Sequence, residues 1–274
     1  MIPKVIHYCW FGGNPKPDDA IRCIESWKQR CPGYEIKEWN EGNFDVNICQ
    51  YVKQAYEAKK WAFVSDYARF WILYSFGGLY FDTDVEIIKP IDDLLGCDGF
   101  MGVEKGRTMV APGLGIGFVK GNSICREIKE YYEKSVYISD DGRVNPKIVL
   151  DFATEVIKKH GYKEEDCNDI QMVEGVKIYP AQYFCPIDYL TGVLEKTDKT
   201  YSIHWYSGTW ISEEQRRVLE FEKKISRIFG KKVGHVAERI YTLPSRINKK
   251  MKDIGIINSI IFALRKLGIL FYKT

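Results

Sequence analysis

Two aspartates stand one residue apart in the run Gly77-Gly78-Leu79-Tyr80-Phe81-Asp82-Thr83-Asp84. Residues i and i+2 of a strand point to the same side, so these carboxylates converge where the strand ends or bends. Buried this close without a counter-charge, they repel and each is pushed towards a higher pKa. A divalent cation relieves that repulsion. Hard oxygen ligands suit Mg²⁺ or Mn²⁺, which keep several waters and bridge to the phosphate oxygens of a substrate. A bare Asp-x-Asp also occurs in solvated turns. Here it follows a Gly-Gly turn, sits among β-type residues and comes after a helix with its own polar pair, Asp66 and Arg69. Three residues apart, that pair shares one helix face. It is either an ion pair tying helix to sheet or a clamp on a polar ligand, and one arrangement can be both.

The elements around these residues place them. Residues 5–11 form a short apolar run closed by Gly12-Gly13, a buried strand entering a loop. Asp18 and Asp19 start a helix that runs to Arg30 and is stopped by Cys31-Pro32-Gly33. Residues 34–39 alternate as a second strand, a βαβ start that favours parallel pairing. Residues 47–76 are helical in two pieces, and the second, apolar nearly all round, is largely buried. Residues 79–88 are predicted as one strand with the acids in its middle. Further strands are expected at 100–104, 115–120, 176–179 and 202–205, with helices at 123–134, 146–160 and 212–229. His7, inside the first strand, is expected to be structural. The glycine-rich stretch 112–117 lacks the GK[ST] of a phosphate-binding P-loop. It is read as a loop and strand on the acceptor side of the pocket, or as ordinary turn glycines.

Residues 62–69 (Ala-Phe-Val-Ser-Asp-Tyr-Ala-Arg), Leu73-Tyr74 and the Gly77–Asp84 run together resemble the signature of the Asp-x-Asp sugar transferases of glycosyltransferase family 32. That family includes capsular-polysaccharide transferases and fungal mannosyltransferases and is distantly similar to the clostridial glucosylating toxins. The opening, residues 2–13, also resembles the start of the bacterial members, and the likeness extends to about residue 210. It implies an α/β fold of GT-A type, a Rossmann-like mixed sheet flanked by helices. It further implies a nucleotide-diphosphate-sugar donor, Mn²⁺ or Mg²⁺, and retention of anomeric configuration. Asp82 and Asp84 match the acids that engage the donor ribose and the metal-bound diphosphate, with Asp84 as the direct ligand. Asp66 and Arg69 match the pair that holds the donor sugar, Tyr80 a residue near base and ribose, and Trp10 an aromatic that stacks on the base. The block at 202–210 resembles the His-containing element that closes on the donor. His204 is then a candidate third metal ligand, and Ser207, Thr209 and Trp210 are candidate diphosphate contacts on a loop loosened by Gly208. No residue stands out as a covalent nucleophile, so a same-face internal return is the mechanism expected.

Composition sets the remaining bounds. Of 40 Lys/Arg and 37 Asp/Glu, 15 basic and 4 acidic residues lie in 215–274, so that segment carries +11 and the rest −8. This divides the chain into a catalytic domain, 1–214, and a basic helical extension, 215–274. Apolar residues interleave with the lysines from 223 to 274, which suits contact with an anionic membrane surface where a lipid-linked glycan acceptor resides. The alternative is a helical extension packed on the domain. The acidic first part and the lack of a recognisable motif argue against a nucleic-acid partner. Eight scattered cysteines without zinc spacing read as reduced thiols. The first residues lack the pattern of a signal peptide, so the protein is expected in the cytoplasm, peripheral at the inner face of the membrane. The expected activity is hexose transfer from UDP-galactose or UDP-glucose to a surface or capsular glycan. A protein-modifying transferase or a nucleotide-sugar hydrolase would use the same donor site.

Overall fold

Alternation along the strands divides the apolar side chains between two cores. Leu79 and Phe81 pack into one while Tyr80 between them packs into the other, and Phe100 and Met101 part in the same way. The computed structural model describes residues 1–208 and 212–245. Seven strands form the main sheet in the order β2-β1-β3-β6-β5-β8-β7. They are β1 (Val5–Cys9), β2 (Glu35–Trp39), β3 (Gly78–Tyr80), β5 (Gly99–Gly102), β6 (Ile116–Phe118), β7 (Gln171–Val173) and β8 (Val176–Tyr179). Strand β1 runs parallel to β2 and β3, and β5 parallel to β8, whereas β6 and β7 run antiparallel to their neighbours. The sheet is therefore mixed, and the parallel pairing that residues 5–39 favour holds at its β2-β1-β3 end. Helices α2 (Gln50–Glu57), α3 (Trp61–Phe76), α4 (Ser123–Glu133) and α5 (Val149–Lys159) cover one face. Helix α1 (Asp18–Arg30) covers the other with Ile24 and Trp27.

The run at 79–88 is two strands, not one. After β3 the chain turns, with the Val85 N–H donating to the Asp82 carbonyl at 3.0 Å. It then enters β4 (Val85–Ile87), which pairs antiparallel with β9 (Ser202–His204) in a separate two-stranded sheet. The Asp82 N–H bonds to the Gly113 carbonyl at 3.3 Å instead of continuing a ladder. Trp27, fully buried, holds the start of β4 by donating its indole N–H to the Val85 carbonyl at 2.7 Å. The turn from α3 into β3 needs glycine twice. Gly77 and Gly78 have φ of 69° and 108°, and a Cβ on Gly78 would meet the Val5 carbonyl at 2.7 Å.

His7 is structural, as expected. Its Nδ1 accepts from the Trp39 indole at 3.1 Å, so Nε2 carries the hydrogen and donates to the Gly77 carbonyl at 3.0 Å. Burial lowers its pKa to about 4, which keeps this tautomer neutral.

The chain forms two units, residues 1–188 with 194–210, and residues 189–193 with 211–274. In the second, α6 (Glu213–Phe229) starts at Ser212, whose hydroxyl accepts from the Gln215 N–H. A division at residue 214 thus falls inside its first turn. Helix α7 (Lys231–Tyr241) folds back after Gly230, and the Phe221 and Tyr241 rings stack at 4.7 Å. Among the described residues no helix is long and apolar enough to cross a membrane. Most of the expected membrane contact, residues 246–274, lies outside the described residues, as do Thr209 and Trp210.

Candidate functional site

The turn after β3 brings the α3 pair and the acid pair together. Arg69 Nη2 donates to Asp66 Oδ1 at 2.7 Å and reaches Asp82 Oδ1 at 3.2 Å. Its Nε donates to the Ser65 carbonyl, and its Cζ lies 4.8 Å from the centre of the Tyr80 ring. The remaining nitrogen, Nη1, is buried with no hydrogen-bond partner among the described residues. An unsatisfied buried donor of this kind costs about 1–3 kcal/mol. It points beside Gly113, where a Cβ would stand 3.4 Å from Nη1 and 2.1 Å from Asp82 Oδ2. The glycine-rich stretch therefore adjoins the acids themselves.

Asp84 belongs to a second cluster. Its Oδ1 lies 3.1 Å from His204 Nε2, and its Oδ2 accepts from the Ser207 N–H at 2.9 Å. The antiparallel register that sets Val85 opposite His204 makes this meeting possible. Tyr206, at φ 52°, turns the chain so that Ser207 N–H faces back to Asp84. The Tyr206 ring packs 4.2 Å from the imidazole, and its hydroxyl reaches Glu104 Oε1 at 3.1 Å and Cys185 Sγ at 3.0 Å.

The two aspartates titrate in opposite directions. Burial raises the Asp82 carboxyl, Arg69 pulls it back, and the Asp84 charge adds to the rise. Burial also works on Asp84, but the His204 charge and hydrogen bond and the Ser207 N–H outweigh it and hold it below the usual carboxylate range. Burial disfavours the His204 imidazolium, yet Asp84, with Asp82 and Glu104 behind it, raises its pKa. Burial lifts Asp66 to about 7 against the pull of Arg69. Two carboxylates, Asp66 and Asp82, thus share the Arg69 guanidinium, while Asp84 pairs with the His204 imidazole.

Exposure decides which acids a ligand can reach. The Asp82 and Asp84 side chains are 30% and 19% exposed, whereas that of Arg69 is 3%. Among the described residues no three His, Cys, Asp or Glu side chains form a ready metal cage, so Asp82, Asp84 and His204 do not close into a three-ligand site. Mg²⁺ and Mn²⁺ fit this arrangement nonetheless, since Mg²⁺ in particular is bound through one or two carboxylates and completes its shell with water and phosphate. The 3.1 Å from His204 to Asp84 suits either a hydrogen bond or two donors sharing one cation.

Tyr80 is buried beneath Arg69, with its hydroxyl 3.2 Å from Asp82 Oδ1, so it holds the acid and offers no open ring face. Trp10 is half-buried and gives its indole N–H to the Asn14 carbonyl at 2.6 Å, a bond within the loop after β1. Gly113, Tyr206 and Glu104 join the site without having been expected there. Glycine spacing hinted at the first. The other two are ordinary residues in sequence and are recruited by the fold.

Residues 17–100 match the family described as the glycosyltransferase sugar-binding region containing the DXD motif. This match spans α1 to the start of β5 and includes Asp66, Arg69, Asp82 and Asp84. An uncharacterized glycosyltransferase of Acanthamoeba polyphaga mimivirus is 25% identical over 68% of this chain and 78% of its own. Inositol phosphoceramide mannosyltransferase 3 of Schizosaccharomyces pombe is 30% identical over 34% of this chain, and the match spans 27% of that protein's length. Among solved structures, a glycosyltransferase involved in the glycosylation of the major capsid of PBCV-1 superimposes with a TM-score of 0.47 at 12% identity, covering 80% of this chain and 99% of that one.

Proposed function

We propose that the protein moves a hexose from UDP-glucose or UDP-galactose to a glycan acceptor, on the premise that residues 17–100 match the glycosyltransferase sugar-binding region that contains the DXD motif. The reaction is read as dependent on Mn²⁺ or Mg²⁺ and as retaining. One observation carries the donor site: the unpartnered Nη1 of buried Arg69, aimed at the space that Gly113 leaves beside Asp82. A phosphate or sugar oxygen there completes the guanidinium's hydrogen bonds.

As the anomeric carbon parts from its phosphate oxygen, negative charge grows on the leaving diphosphate. Arg69 faces that charge from a dry wall, held in place by Asp66 and the Tyr80 ring. A divalent cation, if held by Asp82 and Asp84, would supply Lewis-acid stabilisation of that charge. In the same-face return, the acceptor hydroxyl oxygen bonds to the anomeric carbon and its proton passes to the leaving phosphate. His204 and Ser207 flank Asp84, and this side of the site would help exclude water that would hydrolyse the sugar. The acceptor is read as a growing surface or capsular glycan, lipid-linked at the inner face of the membrane. The interleaved basic and apolar residues from 223 onward supply the membrane contact.

Release of nucleoside diphosphate from a panel of donors, with Mn²⁺ or with EDTA, tests this reading. Nucleoside-diphosphate mannose belongs in the panel, given the name of the yeast relative. Release with Mn²⁺ and none with EDTA is expected, and Asp84→Asn should lower it on the order of 100-fold. Full metal-dependent turnover by Asp84→Asn would overturn the assignment of the acid pair.

A further inference from the structure

Beyond the donor site, Glu104 opens onto a cleft of about 370 Å³ whose polar wall includes Lys105, Arg107, Asn168, Gln182 and Thr197. Glu104 stands at the junction. Its Oε1 lies against the Tyr206 hydroxyl, and the Tyr206 ring packs on His204, which lies 3.1 Å from Asp84. Cleft and donor acids are therefore separated by three side chains in mutual contact. The pocket edge is also braced. Lys105 Nζ donates to the Pro186 carbonyl at 3.2 Å and to Glu195 Oε2 at 2.6 Å, fixing the backbone segment that closes one side.

Charge in the cleft is already balanced. Arg107 Nε lies 2.6 Å from Glu104 Oε2, and Lys105 is paired with Glu195. No net cation is left for a phosphate or carboxylate, and no net anion for an amine. Besides the Cys167 thiol, the uncharged polar lining is amide and hydroxyl, from Asn168, Gln182 and Thr197, groups that both donate and accept as sugar hydroxyls do. A small cleft with a few convergent polar groups is the usual form of a small-molecule site.

We infer that this cleft is the acceptor site, built for the neutral, polyhydroxylated end of a glycan, with Glu104 as the residue it shares with the donor side. The inference rests on the transferase reading for its word "acceptor", while the binding of a neutral glycan does not require turnover.

Two substitutions fill the cleft from residues outside the donor cluster, Asn168→Trp and Gln182→Trp. The probes are neutral oligosaccharides of glucose, galactose and mannose, with matched oligosaccharides that carry one uronate. Binding to the full chain is read by ligand-observed NMR, transfer by mass increase of the probe, and UDP affinity by calorimetry. Wild type should bind neutral probes in preference to uronate-bearing ones, and each variant should lower both binding and transfer by about tenfold or more while UDP affinity holds. Neutral-probe binding that survives both substitutions overturns the inference, as does preference for the uronate probes. If the neutral probes bind and are displaced by the substitutions, yet no donor is turned over, the cleft stands and the transferase reading fails.

Discussion

Gly113→Ala tests the donor site with a single methyl group. The Cβ would stand 2.1 Å from Asp82 Oδ2 and 3.2 Å from Asp82 Cγ, far inside ordinary contact. Gly113 is not among the residues at positive φ, so alanine fits its backbone and the strain falls on the neighbour. Its carbonyl is bonded to the Asp82 N–H, so the two backbones cannot simply part. The carboxylate must then retreat by roughly 1 Å, which is the displacement that costs about 100-fold when it falls on a reacting group. That retreat also breaks the 3.2 Å contacts of Oδ1 with Arg69 and with the Tyr80 hydroxyl. Stability should change little, by about 1 kcal/mol, because Asp82 has solvent on one side to move into. The assay is kcat/KM for nucleoside-diphosphate release, with thermal melting in parallel. Gly96→Ala serves as the control, since nothing lies within 4 Å of its added Cβ. Activity of Gly113→Ala within about threefold of wild type, at an unchanged melting temperature, would refute the reasoning that Gly113 seats Asp82.

Two further outcomes concern stability. His160 bridges Glu127 at 2.6 Å and Glu174 at 2.9 Å, and these hydrogen bonds raise its pKa above 6.5. Stabilisation by the charged ring is therefore complete below pH 6.5 and is lost as pH rises through the raised value. His160→Gln should cost about 1 kcal/mol at pH 6 and much less at pH 9, read from urea midpoints; a cost independent of pH would exclude this role. Trp27→Phe keeps most of the ring packing but removes the donor to the Val85 carbonyl, so a loss of about 1–3 kcal/mol in chemical denaturation is expected. A loss under about 0.5 kcal/mol would show that β4 does not depend on that bond.

Much of the scaffold was legible because local chemistry decided it. The break between α2 and α3 falls at residues 58–60, where Lys59 takes φ 56°, and the Gly77-Gly78 turn follows from conformations that glycine adopts readily. Asp66 and Arg69 were legible as a pair from their spacing alone. The split of residues 79–88 was not, because nothing local opposes a continuous strand there. What stops it is the Gly113 carbonyl, which takes the Asp82 N–H, and the antiparallel partner at 202–204. Strand β7 was missed for a similar reason. Three residues carry no periodicity, and pairing with β8 makes them a strand. Tyr206 and Glu104 bear no motif, and their importance arises from a contact 102 residues apart in sequence. Trp10 was legible as an aromatic at the end of the first strand, and its loop fixes the ring edge through the Asn14 carbonyl.

The small sheet formed by β4 and β9 has a consequence for the order in which the protein is assembled. Asp66, Arg69 and Asp82 lie close in sequence, so their half of the site can organise from neighbouring segments soon after they leave the ribosome. Asp84 waits for a partner 123 residues further on. Closing so long a loop is entropically costly, and it returns contacts only when β9 docks. Synthesis from the N-terminus therefore yields first a scaffold with a loose acid. The His204 and Ser207 side of the site arrives late, and competence is conferred near the end of translation of the first unit.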